Sequence, residues 1–237
     1  MSSITLQAPA VHSRQNTGLL ADAEKRVLVW LARRMPAGIN SDHLSALGLV
    51  AMLAAGASFA LFRATPWAAM GVVLSLAVNW FGDSLDGTLA RVRDHQRPRY
   101  GYYLDHVLDL AGTTFLLGGL ALSGLMGPLV AMLTLVAYLL VSAETYLATH
   151  ARGLFRMSFL RVGPTELRIL LAVGAIKAAH DPLVAAGPFG MVRLFDLGGL
   201  LGAIGLVGAF AASALGNAMV LYAAEPLAKA MDRTRDA

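Results

Sequence analysis

The chain contains no cysteine in 237 residues, which excludes a disulfide framework and any thiolate metal site. Charge is scarce as well. Asp, Glu, Lys and Arg make up 14% of the chain, where soluble domains carry about a quarter. Apolar residues take their place, with 57% hydrophobic residues and a mean hydropathy of +0.61. The pI near 9.7 does not point to nucleic acid. The basic residues cluster between apolar segments, which is the distribution set by membrane topology. Residues 1–17 lack an apolar stretch ahead of a small-residue cleavage site, so they read as a flexible N-terminus rather than a signal peptide. The expectation is an all-α integral membrane protein, with residues 18–237 forming a single domain.

Gly18 to Met35 sets Leu20, Val27, Leu28 and Leu31 against Asp22, Lys25, Arg26, Arg33 and Arg34. Such a basic amphipathic helix lies on the membrane surface or packs against the ends of the spans. Pro36 and Gly38 break it, and Asn40 offers a cap for the next helix. Apolar segments then run over 43–62, 66–89, 101–123, 127–149, 164–180 and 196–222. Each can cross a hydrocarbon core of about 30 Å, and the pattern predicts six transmembrane helices. Of the 19 Lys and Arg, only Arg63, Lys177 and Arg193 fall in loops on one side, leaving 16 on the other. The positive-inside rule then places both ends of the chain in the cytosol, and the expected location is a bacterial inner membrane.

The stretch from Asp83 to Asp109 concentrates the chemistry. Asp83 and Asp86 are spaced i, i+3, and Asp105 and Asp109 i, i+4, so each pair shares a helix face. Both pairs adjoin apolar runs, where a carboxylate at a span's centre costs about 2.5–3.5 kcal/mol. Four converging carboxylates need positive charge between them. An all-oxygen ligand set suits Mg²⁺ or Mn²⁺, and two such ions would bridge a phosphate. Gly87, Ala90 and Gly101 leave room for a diphosphate and a nucleoside. Arg91 can contact the diphosphate, and one Asp can serve as general base. The active site lies on the cytosolic side.

Asp83, Asp86, Gly87, Ala90 and Arg91, nine residues, then Gly101, Asp105 and Asp109 resemble the signature of the CDP-alcohol phosphotransferases, D-x2-D-G-x2-A-R followed by G-x3-D-x3-D. The resemblance implies a six-helix membrane enzyme in which an acceptor hydroxyl displaces CMP from a CDP-linked donor. It also implies that Asp83, Asp86 and Asp105 ligate metal, with Asp109 the catalytic base and a ligand of the second ion. Gly87 and Arg91 would line the CDP site, and the family often forms homodimers. Asn40 to Gly48 is similar to the family's N-P-x-x-L-T-x-x-G, whose start approaches the nucleotide. Ser41 and Ser45 replace the usual Pro and Thr, so Asn40 is read either as nucleotide-binding or as a helix cap.

The acceptor is sought where Glu144, His150, Arg152, Arg156, Glu166 and Arg168 gather. Arg152, Arg156, Glu166 and Arg168 are the candidate acceptor residues, and arginine suits an alcohol that carries a phosphate. That pattern favours CDP-diacylglycerol as donor. Gly163 to Glu166 is similar to a segment of the choline and ethanolamine phosphotransferases, which keeps CDP-choline or CDP-ethanolamine with diacylglycerol as the alternative. A membrane ion or proton transporter is the reading from a different class. It requires acids near midspan on several helices, whereas the signature acids sit at one face on two helices.

Overall fold

A computed structural model describes residues 21–152 and 163–225. Its elements in chain order are α1 (Ala21–Arg34), α2 (Ser41–Ala60), α3 (Ala68–Val92), α4 (Pro98–Ser123), α5 (Pro128–Arg152) and α6 (Pro164–His180), then β1 (Leu183–Ala185), β2 (Met191–Arg193) and α7 (Leu194–Ala224). The expected flexible segment 1–17 and Arg156 lie outside the described residues.

Proline and glycine set the helix ends. Pro98 and Pro164 occupy first turns, where the missing N–H costs nothing. Glu166 accepts the Gly163 N–H at 3.0 Å and closes the start of α6. Gly124 ends α4 with φ of 72°, the left-handed conformation that glycine tolerates. The all-α expectation needs one correction. After His180, Asp181 and Pro182 end α6, and a short antiparallel pair of strands, β1 and β2, turns the chain through Gly187 and Gly190.

Five of the described helices, α2, α3, α4, α5 and α7, are long and apolar enough to cross a membrane. Large apolar side chains point outward from them: Leu122 is 77% exposed and Ile204 69%. Such a surface suits lipid, not water. α6, at 17 residues, is about 25 Å long and is the shortest of the helices after α1.

α2 packs against α3 and α4, α5 against α4 and α7, and α3 against α6 and α1. The α2–α4 crossing is tight. A Cβ built on Gly119 would fall 2.0 Å from the Gly56 carbonyl oxygen. Two backbones can approach so closely only where neither carries a side chain. α1 buries Leu28 and Ala32 against Leu44, Leu85 and Leu89 of α2 and α3, while Val27 and Trp30 stay exposed. Glu24 fastens it further. Its Oε1 accepts from Trp80 Nε1 at 2.7 Å, Thr165 Oγ1 at 2.7 Å and Ser84 Oγ at 3.4 Å. Arg93, just past α3, donates to the carbonyls of Met35, Pro36 and Ile39 and holds the α1–α2 turn in place.

Candidate active site

α3 and α4 are joined by a turn in which Asp94 adopts φ of 55°, a conformation that Asp accepts more readily than most residues. The helices therefore run antiparallel, and the second half of α3 faces the first half of α4. This brings Asp83, Asp105 and Asp109 together, with one oxygen of each within 4.8 Å of the others. All three are partly buried. Two oxygens on opposite sides of one ion stand about 4.2 Å apart at Mg²⁺ distances and about 4.6–5.2 Å at Ca²⁺ distances, and adjacent ligands stand closer. The three carboxylates have the chemistry of a hard divalent-cation site and would draw together around the ion.

Asp86 is held separately. Its Oδ2 accepts from Ser45 Oγ at 2.5 Å, which ties it to α2, although it remains near enough to Asp83 and Asp105 to feel both charges. Positive charge comes from α6. Arg168 ion-pairs with Asp83 Oδ2, and its Nε donates to Asn79 Oδ1 at 2.7 Å. The Asn79 amide donates in turn to the Gly48 carbonyl at 3.0 Å. Arg168 thus reaches the aspartates along a buried polar chain that begins on α2. Charge-assisted donors of this kind are the strong ones.

Arg91 donates to Thr88 Oγ1 at 3.0 Å and folds across Gly87, where a Cβ would stand 3.4 Å from its Nη1. Ala90 is partly buried on the same helix, and Gly101 is exposed with open space around it. His106 stacks on Tyr102 with centroids 4.1 Å apart, and its Nδ1 is 2.7 Å from the Tyr102 carbonyl. That nitrogen also lies 3.8 Å from Asp105 Oδ2, and the ring meets Tyr146 of α5 edge-on at 5.2 Å.

The remaining candidates are dispersed. Asn40 accepts the His43 N–H at 3.0 Å, and His43 Nδ1 accepts the Asn40 N–H at 3.3 Å. This is a reciprocal cap for α2. Asn40→Ala should cost about 1 kcal/mol of stability in a thermal scan, with the donor KM unchanged; a raised donor KM would instead mark a nucleotide contact. Glu166 spends one oxygen on the start of α6. Arg152 donates to Asn217 Oδ1, in a network where buried Glu144 accepts from Ser213 at 2.8 Å and from Asn217 at 2.6 Å. That network joins α5 to α7. Of the three candidate acceptor residues that are described, Arg152, Glu166 and Arg168, it is Arg168 that stands against the aspartates.

Sequence reasoning passed over Asn79 and Tyr138, and it named Ser45 without its contact to Asp86. Asn79 had a signal, being a polar residue in an apolar run one helical turn before Asp83. Tyr138 of α5 lies within electrostatic reach of Asp105 and Asp109, which no spacing along the chain announces.

Residues 41–215, including the whole aspartate motif, match the profile of the family described as CDP-alcohol phosphatidyltransferase. Among solved structures, the fold is similar to the Mycobacterium tuberculosis phosphatidylinositol phosphate synthase (PgsA1), determined with CDP-DAG bound. The two are 22% identical with a TM-score of 0.50, over 83% of this chain and 92% of that one. No curated protein gives a match.

Proposed function

The chain belongs to the CDP-alcohol phosphatidyltransferase family, and on that premise we propose that it transfers a phosphatidyl group from CDP-diacylglycerol to a phosphate-bearing alcohol, with release of CMP. The observation that carries this reading is the convergence of Asp83, Asp105 and Asp109 within 4.8 Å at one end of an apolar helix bundle. The family is divalent-metal dependent. Here Asp83, Asp105 and Asp109, with Asp86 alongside, would hold Mg²⁺ or Mn²⁺, as two ions. Bound there, the ions would offset the charge of the diphosphate.

The chain's own groups supply the rest. Arg91 presents N–H donors to the diphosphate, and Gly87, Ala90 and Gly101 leave space for the nucleotide. A carboxylate oxygen of Asp109 takes the proton of the acceptor hydroxyl as that oxygen bonds to phosphorus. The bond from phosphorus to the CMP oxygen breaks, and CMP leaves with its electron pair. Arg168 presents its guanidinium to the acceptor's phosphate, a geometry in which arginine outperforms lysine.

Six spans are part of this proposal. α6 begins beside Asp83 through Arg168 and ends near the α2–α3 connection, where Ala178 and Ala179 line one cavity together with Phe62 and Arg63. It therefore traverses the bundle end to end, as its neighbours do. α1 lies along the cytosolic surface of a bacterial inner membrane, and the active site and both chain ends face the cytosol. A homodimer would find this face of α7 available, since among the described residues no atom lies within 4 Å of a Cβ added at Gly198, Gly202 or Gly205.

The test is CMP release by the detergent-purified protein with Mg²⁺ and CDP-diacylglycerol. The acceptors are glycerol phosphate, inositol phosphate, serine and inositol. Release with a phosphorylated acceptor alone is expected. Release only from CDP-choline or CDP-ethanolamine with diacylglycerol would replace this reading with that one. Arg168→Gln should raise the acceptor KM about 10- to 100-fold, the worth of hydrogen bonds to a charged group, with the donor KM unchanged. An unchanged acceptor KM would remove Arg168 from the acceptor site.

A further inference from the structure

The end of the bundle opposite the aspartates holds a second polar feature, unrelated to the transfer reaction. From Ser45 beside Asp86 to Arg63 beyond the end of α2, the chain covers about 27 Å at the helical rise. A cavity of 810 Å³ opens there, with Arg63 and Arg193 among its lining residues. Phe62, Leu125 and Leu183 supply apolar wall, and no carboxylate lines it among the described residues. The volume is within the range of ligand sites, about 300–1,000 Å³.

Both guanidiniums converge on one neutral atom. Arg63 Nη2 and Arg193 Nη1 donate to the Gly124 carbonyl at 3.3 and 3.4 Å. A Cβ on Gly124 would fall 2.4 Å from Arg63 Cζ. The left-handed glycine thus both ends α4 and lets a cation lie against the chain. Each guanidinium carries five N–H donors, and one carbonyl leaves most of them available. Arg193 shares its charge with Asp196 at 3.4 Å, whose other oxygen accepts the Gly127 N–H at 2.6 Å. Lys177, the remaining cation of this end, is taken up by Asp181 and by the carbonyls of Asp181 and Leu183. Among the described residues, Arg63 has no carboxylate partner. Two like charges around a neutral oxygen, with one left uncompensated, favour an anion between them.

Location and chemistry together define that anion. The cavity lies at a helix-end level of a membrane protein, where lipid headgroups are found. Its apolar walls suit the upper acyl region, and its arginines suit a phosphodiester. A zwitterionic headgroup would bring an ammonium for which the lining offers no acid. We propose that this cavity binds the headgroup phosphate of an anionic phospholipid from the leaflet opposite the active site, gripped by Arg63 and Arg193. The proposal rests on the membrane assignment and is independent of the choice of donor and acceptor.

The experiment compares the full chain with Arg63→Gln/Arg193→Gln in detergent. Phosphatidylglycerol or phosphatidylcholine of matched chains is added, and retained lipids are counted by native mass spectrometry. The wild-type chain should retain one more phosphatidylglycerol than the double variant. Affinity at that site should fall about 10-fold or more, with CMP release unchanged. Arg63→Gln alone, which leaves Arg193 to hold Gly124 and Asp196, should reproduce most of the loss. Equal phosphatidylglycerol counts in wild type and both variants would overturn the site. Protection against heating by inorganic phosphate, equal to that by phosphatidylglycerol at matched concentration, would overturn the lipid as its occupant.

Discussion

Asp109→Asn leaves a folded protein that binds nucleotide and turns over about 10²- to 10⁴-fold more slowly, the range that a positioned general base supplies. The amide keeps the size and one oxygen of the carboxylate, so the α4 backbone has no reason to move. It cannot accept the proton of the acceptor hydroxyl. Asp109 is also one of the three clustered carboxylates, so metal binding must be read separately. The expected pattern is a fall in kcat with nucleotide affinity largely kept, measured by CMP release and by titration with CDP. Retained turnover would remove Asp109 from the base role. A parallel loss of kcat and of divalent-metal affinity would make it principally a ligand.

Gly119→Ala should be the most disruptive glycine-to-alanine change among the described residues. The added carbon would stand 2.0 Å from the Gly56 oxygen and 2.5 Å from its carbonyl carbon. Both are backbone atoms, and no rotamer change relieves the clash. α2 and α4 must separate, which loses contacts around buried Ala55, Phe59 and Leu116. Overpacking of this kind costs about 3 kcal/mol, or a fall of about 6–12 °C in Tm for a chain of this size. The adjacent Gly118 is the control. An added Cβ there has nothing within 4 Å, and Gly118→Ala should stabilise by about 0.5–1 kcal/mol through helix propensity. Equal melting temperatures for the two variants would refute the close crossing.

These two positions mark how far the sequence could be read. Apolar runs bounded by Pro98, Pro128 and Pro164 carry helix boundaries in their own chemistry, and the structure begins α4, α5 and α6 at those prolines. The aspartate pairs were equally legible, because both helical spacings are local. The other members of the site are not local. Ser45 meets Asp86 across 41 positions, and Arg168 meets Asn79 across 89. Periodicity reports which face a residue occupies and nothing of the face opposite. Glycine is ambiguous for the same reason. The spacing of Gly198, Gly202 and Gly205 reads as a packing stripe, yet among the described residues an added Cβ at any of the three meets nothing within 4 Å, and the close approach occurs at Gly56 and Gly119. Arg152 and Glu166 looked available for substrate because their partners, Asn217 and the start of α6, could not be inferred from composition.

The attachment of α1 has a mechanical consequence. Glu24 Oε1 joins Trp80, one residue beyond Asn79, to Thr165, three residues before Arg168. The segments bearing the two halves of the Arg168–Asp83 pair are thus strapped together by one oxygen atom from a third helix. α1 is a splint across the fracture line between α3 and α6. The gap that Arg168 bridges is fixed from outside the bundle, by the helix with the least apolar surface to bury.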